Sequence, residues 1–419
     1  MGYTAELRAA WRPILAATIG LGTGMSIVGT VTSAIAPSLI DDAGWSKADF
    51  AMVGTLGLAT TVAMPFIGRL TDVLGVRLTA LIGLVTLPLI YLAYSFIGDS
   101  LALYVGIFLV QSVICVTTTS TVYTRLVVQY VRNARGLALA IVASGPAIAG
   151  TVGGPVLNAY VEANGWIASF RALALFVAIT GVITFLLIPP DRPTTGTGTL
   201  VPRRARDDYP LIFRSPAFWL LAGSMLLCNL PQTLMLVQLK LLVLDNGISG
   251  EGASVMFSAV SLGMLTGRFI TGAALDRFRP YAVSFITLAL PSLGLFIIAS
   301  SFDDPLVILF AIFCLGFLVG AEGDIVAFLV ARHFNLSIYS SVMGLLTAIT
   351  SLSAASGAAL LSYTLGRTGG FELFLTICGF SVIAGAFLLL MLGRVRVGEA
   401  SEAGGHEVAK QTGAQPAAS

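Results

Sequence analysis

Gly68-Arg69-Leu70-Thr71-Asp72 closes one apolar stretch of this chain, and Gly272-Ala273-Ala274-Leu275-Asp276 closes another. Each segment holds a glycine and an aspartate four positions apart, and the two begin 204 residues apart (68 to 272) in a chain of 419. Basic residues follow both: Arg77 after the first, Arg277 and Arg279 after the second. One feature repeated at corresponding places in two apolar halves predicts two related helical bundles, the architecture of a two-bundle transporter.

Composition points the same way. The chain is 56% hydrophobic and only 11% charged, whereas soluble domains carry about 25% charged residues. So few charges cannot cover a soluble surface. The net charge of +2 gives no reason to expect a nucleic-acid partner. Cys115, Cys228, Cys314 and Cys378 lie far apart in apolar stretches without metal-ligand spacing, and read as small packing residues. His406 sits in the tail and His333 reads as a loop residue, so no Ser/His/Asp set can be assembled. No glycine-rich phosphate loop follows a strand. Neither an enzyme nor a bound cofactor or metal is expected.

A membrane span needs about 20 mostly apolar residues. Twelve such runs can be counted, at 13–37, 48–68, 78–97, 101–124, 136–160, 168–189, 217–241, 253–273, 282–300, 305–329, 340–363 and 371–392. They are continuously apolar rather than alternating, so they read as helices. The expectation is an all-α integral membrane protein with twelve transmembrane helices in two pseudo-symmetric six-helix bundles. The first bundle covers residues 1–188 and the second 217–393. Residues 189–216 form a flexible basic linker and 394–419 a disordered tail. The first run is too long for a signal-peptide core and lacks a small-residue cleavage site, so it is a retained span. With both termini cytoplasmic, 19 of the 23 Lys and Arg fall on or near the inner side; Lys47, Arg171, Lys240 and Arg367 fall outside. That asymmetry is the positive-inside pattern and predicts a plasma-membrane protein of bacterial inner-membrane type.

The segment Gly68-x-x-x-Asp72-x-x-Gly75-x-Arg77 resembles the signature loop of the major facilitator superfamily. Gly272 to Arg279 resembles its degenerate second copy, and Arg135-Gly136-Leu137-Ala138 with the Gly145-Pro146 to Gly154-Pro155 run is similar to the same superfamily. Within it, Gly44-Trp45-Ser46, Tyr123 followed by Arg135-Gly136, and Arg268-x-x-x-Gly272 resemble the monocarboxylate porter and oxalate–formate antiporter branch. The resemblance implies a substrate-binding arginine in the eighth helix, and Arg268 holds that position. The chain also departs from the branch. Met264 stands where animal porters have an aspartate, no lysine lies between Pro13 and Pro37, and 340–363 has no second cation. A singly charged anion fits these departures better than oxalate. The branch's arginine after Gly165-Trp166 is displaced to Arg171.

Few ionisable residues lie deep inside the spans. A charge in hydrocarbon costs at least a few kcal/mol, so each is a functional candidate. Arg268 offers a planar donor fork that matches a carboxylate, or a fixed ion pair with a neighbouring helix. Glu322 and Asp324 lie two residues apart, about 200° around a helix, so they cannot both face one cavity. One of them is a candidate carrier of a coupling proton; the alternative is a structural ion pair. Asn229 and Gln232 flank Pro231 in the seventh span and either bind substrate or satisfy a proline kink. Thr117 to Thr121 with Tyr123 form a polar patch in the fourth span, where hydroxyls also bond back to their own helix. Tyr123 joins Arg268, Asn229 and Gln232 as a candidate substrate contact. Asp72, Arg77, Arg135 and Asp276 belong to a cytoplasmic gate that latches the bundles.

Together these readings predict secondary transport of a small organic anion with protons, in a lipid bilayer and without ATP. The alternative is efflux of an apolar drug or metabolite, for which a cavity arginine is awkward. The sequence fixes no oligomeric state, and a monomer suffices.

Overall fold

The structure is a computed structural model that describes residues 2–45, 50, 53, 57–190, 205–232, 234, 242, 250–300 and 304–395. Among them no strand occurs; the chain is a succession of helices. Helix α1 (Tyr3–Ala9) precedes α2 (Trp11–Gly22) and α3 (Val28–Ala43), which flank a 3-10 turn at Met25–Ile27. Then come α4 (Leu58–Leu74), α5 (Val76–Tyr94), α6 (Leu101–Ile114), α7 (Ser120–Tyr130), α8 (Arg135–Ala143) and α9 (Gly145–Leu187). The second half holds α10 (Ala205–Arg214), α11 (Pro216–Cys228), α12 (Gly250–Arg277), α13 (Pro280–Ala299), α14 (Pro305–His333), α15 (Tyr339–Thr368) and α16 (Glu372–Leu392).

The breaks have local causes. Between α6 and α7 the hydroxyls of Thr117, Thr118 and Thr119 bond the carbonyls three residues back, at 2.8, 2.7 and 2.7 Å. Three such back-bonds in a row tighten the helix into the 3-10 turn Cys115–Thr118. In α9, Gly165 takes φ 75° and ψ 172°, a region open only to glycine. It parts the long stretch where the fifth and sixth spans are expected to meet. Helix α11 stops at Cys228, three residues before Pro231 removes a backbone donor.

Eight helical stretches among the described residues are long and apolar enough to cross a membrane, or nine if the bent pair α10–α11 is one span. The tally is of the described residues and stands below the expected twelve. One stretch, Arg135–Leu187, runs through two expected spans. Helix α4 is only 17 residues long, and most of the seventh span beyond Gln232 lies outside the described residues. The outer surface is that of a lipid-facing protein. Phe66, Leu186 and Leu306 are 70%, 72% and 73% exposed, which suits hydrocarbon and not water.

Small residues set the closest helix contacts. A Cβ on Gly316 would collide with the Val260 carbonyl, and one on Gly320 with the Met264 carbonyl. Helices α12 and α14 therefore touch backbone to backbone. The two contacts advance together, 316 on 260 and 320 on 264, so the helices run parallel. Between the bundles, α4 packs on α15 and α8 on α12.

Two local expectations change. Within 189–216, where a flexible linker is expected, α10 forms at Ala205–Arg214 and meets α11 at 72°. Its Ile212 is buried, and its Asp208 pairs with Arg69 of α4. That anchorage gives the segment a reason to be helical. His333 is the last residue of α14, not a loop residue, and its ring bonds the Tyr281 hydroxyl at 3.0 Å. Residues 191–204 and 396–419, with Lys47, Lys240 and Lys410, lie outside the described residues.

Candidate functional site

Asp72 occupies the last turn of α4 and Asp276 the last turn of α12. A carboxylate at a helix C-terminus is disfavoured by its own helix dipole, so it needs outside partners. Each finds them on the opposite bundle. Asp72 accepts the backbone N–H of Ser340 and Ser341, at 3.0 and 2.7 Å, at the start of α15. Asp276 accepts those of Gly136 and Leu137, at 2.7 and 3.0 Å, at the start of α8. Helix N-termini carry unsatisfied N–H groups and a positive partial charge, so both carboxylates act as trans caps. Glycine permits the approach: a Cβ at Gly68 would strike the Ser340 carbonyl.

Cations complete this cluster in a way the sequence does not specify. The cation on Asp72 is Arg125 of α7. Arg69 is engaged by Asp208, and Arg77 stacks over the Phe185 ring at 4.8 Å, inside its own bundle. Arg135 bonds the Val131 carbonyl at 3.3 Å and lies in the field of Asp276 and Tyr339. The short helix α1 straps these contacts. Its Tyr3 hydroxyl donates to Asp276 at 3.0 Å, and its Glu6 accepts the N–H groups of Arg132, Asn133 and Ala134 at 2.8, 2.8 and 3.1 Å. Burial and the Asp276 carboxylate push the Tyr3 hydroxyl up to about 12, so it stays a donor. Burial opposes the Glu6 charge, but the three N–H donors outweigh it and hold that carboxyl below the usual range.

Deeper in, the α12–α14 contact positions the intramembrane charges. One turn beyond the Gly320–Met264 contact, the same register brings Asp324 opposite Arg268. The two interact electrostatically but form no ion pair within the described contacts. Asp324 is buried, and its Oδ2 has no hydrogen-bond partner among the described residues. The Arg268 guanidinium donates to the Ala143 carbonyl at 2.6 Å. Ala143 ends α8 in the other bundle, where the carbonyl end of a helix dipole attracts a cation. Arg268 is half-buried and faces neither lipid alone nor a locking carboxylate. Met264, the position of the absent aspartate, is pressed against Gly320; the acid stands on α14 instead.

Glu322 turns the other way. Its carboxylate accepts from Asn229 Nδ2, just past the end of α11, and the two share a pocket with Cys228, Gln232, Leu315 and Leu318. The structure thus brings Asn229, Gln232 and Glu322 together, and Arg268 with Asp324. Tyr123 joins neither group: it is fully buried against α2 at Gly20, with its hydroxyl unpartnered among the described residues. Arg125, Tyr3, Glu6 and the N–H pairs at 136–137 and 340–341 escape a reading by residue type. The signal for the last four is positional, since each opens a helix.

Against known proteins, the Major Facilitator Superfamily model matches residues 14–337 and 229–416. Monocarboxylate transporter 11 of Homo sapiens is 23% identical over 373 residues, covering 85% of this chain and 78% of that protein. Among solved structures, the human organic anion transporter MFSD10 superposes with a TM-score of 0.73 at 16% identity, over 91% of this chain and 99% of that one. A bacterial homologue of the iron transporter ferroportin, in an outward-facing state, gives 0.74 at 15% identity, over 92% and 99%.

Proposed function

The chain belongs to the major facilitator superfamily, and from that premise we propose that it is a secondary active transporter of a small organic anion, a monocarboxylate, coupled to protons. It is an integral membrane protein and not an enzyme. The observation that carries the anion reading is Arg268. Its guanidinium leaves α12 within the expected eighth span, reaches the other bundle at Ala143, and keeps donors beyond that single bond. A carboxylate arriving between the bundles would compete with the Ala143 carbonyl for the fork. The names of two similar proteins, a monocarboxylate transporter and an organic anion transporter, support the class.

Transport follows by alternating access. The two bundles, 1–188 and 217–393, rock about Arg268 while segment 189–216 joins them and 394–419 trails. The contacts of Asp72 and Asp276 hold one side shut. With both termini cytoplasmic in a bacterial inner membrane, that side is the cytoplasmic one and the conformation is outward-facing. Opening the gate exchanges each carboxylate's helix-terminus donors for water, a small enough change to be reversible at each turnover.

A thermal-shift screen of the purified protein against organic acids tests the reading. Monocarboxylates should raise the melting temperature of the native chain and not that of Arg268→Ala. Stabilisation of both alike would remove the arginine, and the anion class with it.

A further inference from the structure

The geometry points to Glu322, and not Asp324, as the group that carries the coupling proton, at a site separate from the anion site. This rests on the secondary-transport reading above. The two carboxyls of α14 differ in what faces them. Asp324 has the Arg268 guanidinium across the α12 contact to balance its charge. Glu322 instead meets the neutral Asn229 amide, and the residues that share its pocket include no cation. The titratable group facing it from α11 is the Cys228 thiol, and Asn229 and Gln232 are neutral. On its own helix the nearest charge is Asp324. Glu322 is half-buried within a span, where a carboxylate without a cation is disfavoured, so it takes one from solution.

The surroundings decide which cation. A metal ion at a broken helix is held by freed carbonyl oxygens, and four of those here already accept hydrogen bonds. Met225 O accepts from Asn229 N and Nδ2, Leu226 O from Ser353, Leu227 O from Ser381 and Asn229 O from Gln232 N. The Asn229 amide shows Glu322 its N–H side, and its orientation is fixed because the Met225 carbonyl can only accept. A metal ion would meet a donor; a proton needs only the carboxyl oxygen.

The internal repeat adds an independent argument. Subtracting 204 from Asn229 and Glu322 gives Met25 and Thr118, and Met25 N donates to Thr118 Oγ1 at 2.9 Å. The first bundle joins the corresponding positions, beside its own helix break, through a backbone N–H and a hydroxyl. A carboxyl is therefore not needed to build the joint, and the second bundle has added a titratable group to it. On the open side, Glu322 takes a proton from hydronium, forming an O–H bond and leaving water. After reorientation the proton returns to water on the other side. With one monoanion on Arg268 and one proton on Glu322, the loaded carrier has the same net charge as the empty one. Both crossings then move equal charge.

Infrared difference spectroscopy on the purified full-length protein, acidified without substrate, tests this directly. A protonated-carboxyl band should appear in the native chain and in Asp324→Asn, and be lost in Glu322→Gln. Loss in Asp324→Asn with retention in Glu322→Gln would overturn the assignment. Should Glu322→Gln fail to fold, Asn229→Leu decides: it keeps the carboxyl but removes its donor, so the band must change frequency, and an unmoved band overturns the proposal. Lactate and benzoate binding to the same samples is scored separately. A Glu322 band with no anion binding would fault the anion reading alone.

Discussion

Asp72 and Asp276 exchange places under one sequence shift. Moving 204 positions carries Asp72 to Asp276, and the same shift carries their partners Gly136 and Leu137 to Ser340 and Ser341. Each bundle thus caps a helix of the other with an acid from the end of its own. The two caps are made by the same backbone groups, so they should contribute alike. Their surroundings differ, with Arg125 behind one and Tyr3 in front of the other.

Asp72→Asn and Asp276→Asn should each weaken the closed gate by about 1–2 kcal/mol, a roughly 5- to 30-fold shift toward the open form. The labelling rate of a cysteine placed at Ser340 reports the opening. A rate unchanged in both variants would mean that the caps do not hold the gate.

Helix α1 makes a second contribution from outside the spans. Tyr3→Phe removes one hydrogen bond and should cost about 1 kcal/mol of gate closure. Glu6 gives a pH signature. Its folded value lies below the ordinary carboxyl value of 4.5, so its stabilisation is present above that pH and is lost as the pH falls through the folded value. Melting of the native chain should therefore fall more steeply on acidification than that of Glu6→Gln. Parallel pH profiles would show that the strap contributes nothing.

The α12–α14 contact predicts a contrast within one helix. Gly320→Ala must push α14 off the Met264 carbonyl and should cost several kcal/mol, with a lowered melting temperature and lost transport. Gly323→Ala, three residues on, meets nothing within 4 Å and should be near neutral. Equal behaviour of the two would contradict the backbone contact that sets Asp324 beside Arg268.

Much of this was readable from residue order because it depends on apolar length and on a repeat. The runs mark helices, and the spacing of Gly68 and Asp72 recurs at Gly272 and Asp276. The divergence of Glu322 and Asp324 follows from two positions on a helix: Glu322 meets Asn229 just past α11, and Asp324 lies opposite Arg268 of α12. What could not be read was partnership. The receivers of Asp72 and Asp276 are backbone N–H groups, which any residue supplies. Arg77 looks like a gate cation by position but stacks on Phe185, while Arg125, inside a polar patch of an apolar run, meets Asp72. Helix α10 was hidden in a basic segment because its order comes from Asp208 meeting Arg69, a contact between residues 139 apart. The repeat also explains why one bundle holds the charges: 204 positions before Arg268 and Asp324 stand Met64 and Ser120.

The central claim is that Arg268 receives the carboxylate of the cargo. Uptake of labelled lactate and benzoate by proteoliposomes holding the native chain, Arg268→Lys or Arg268→Ala measures it most directly. The account predicts uptake of at least one acid by the native chain, a large loss in Arg268→Lys, which keeps the charge but not the planar fork, and none in Arg268→Ala. Uptake by Arg268→Ala at the native rate would contradict it.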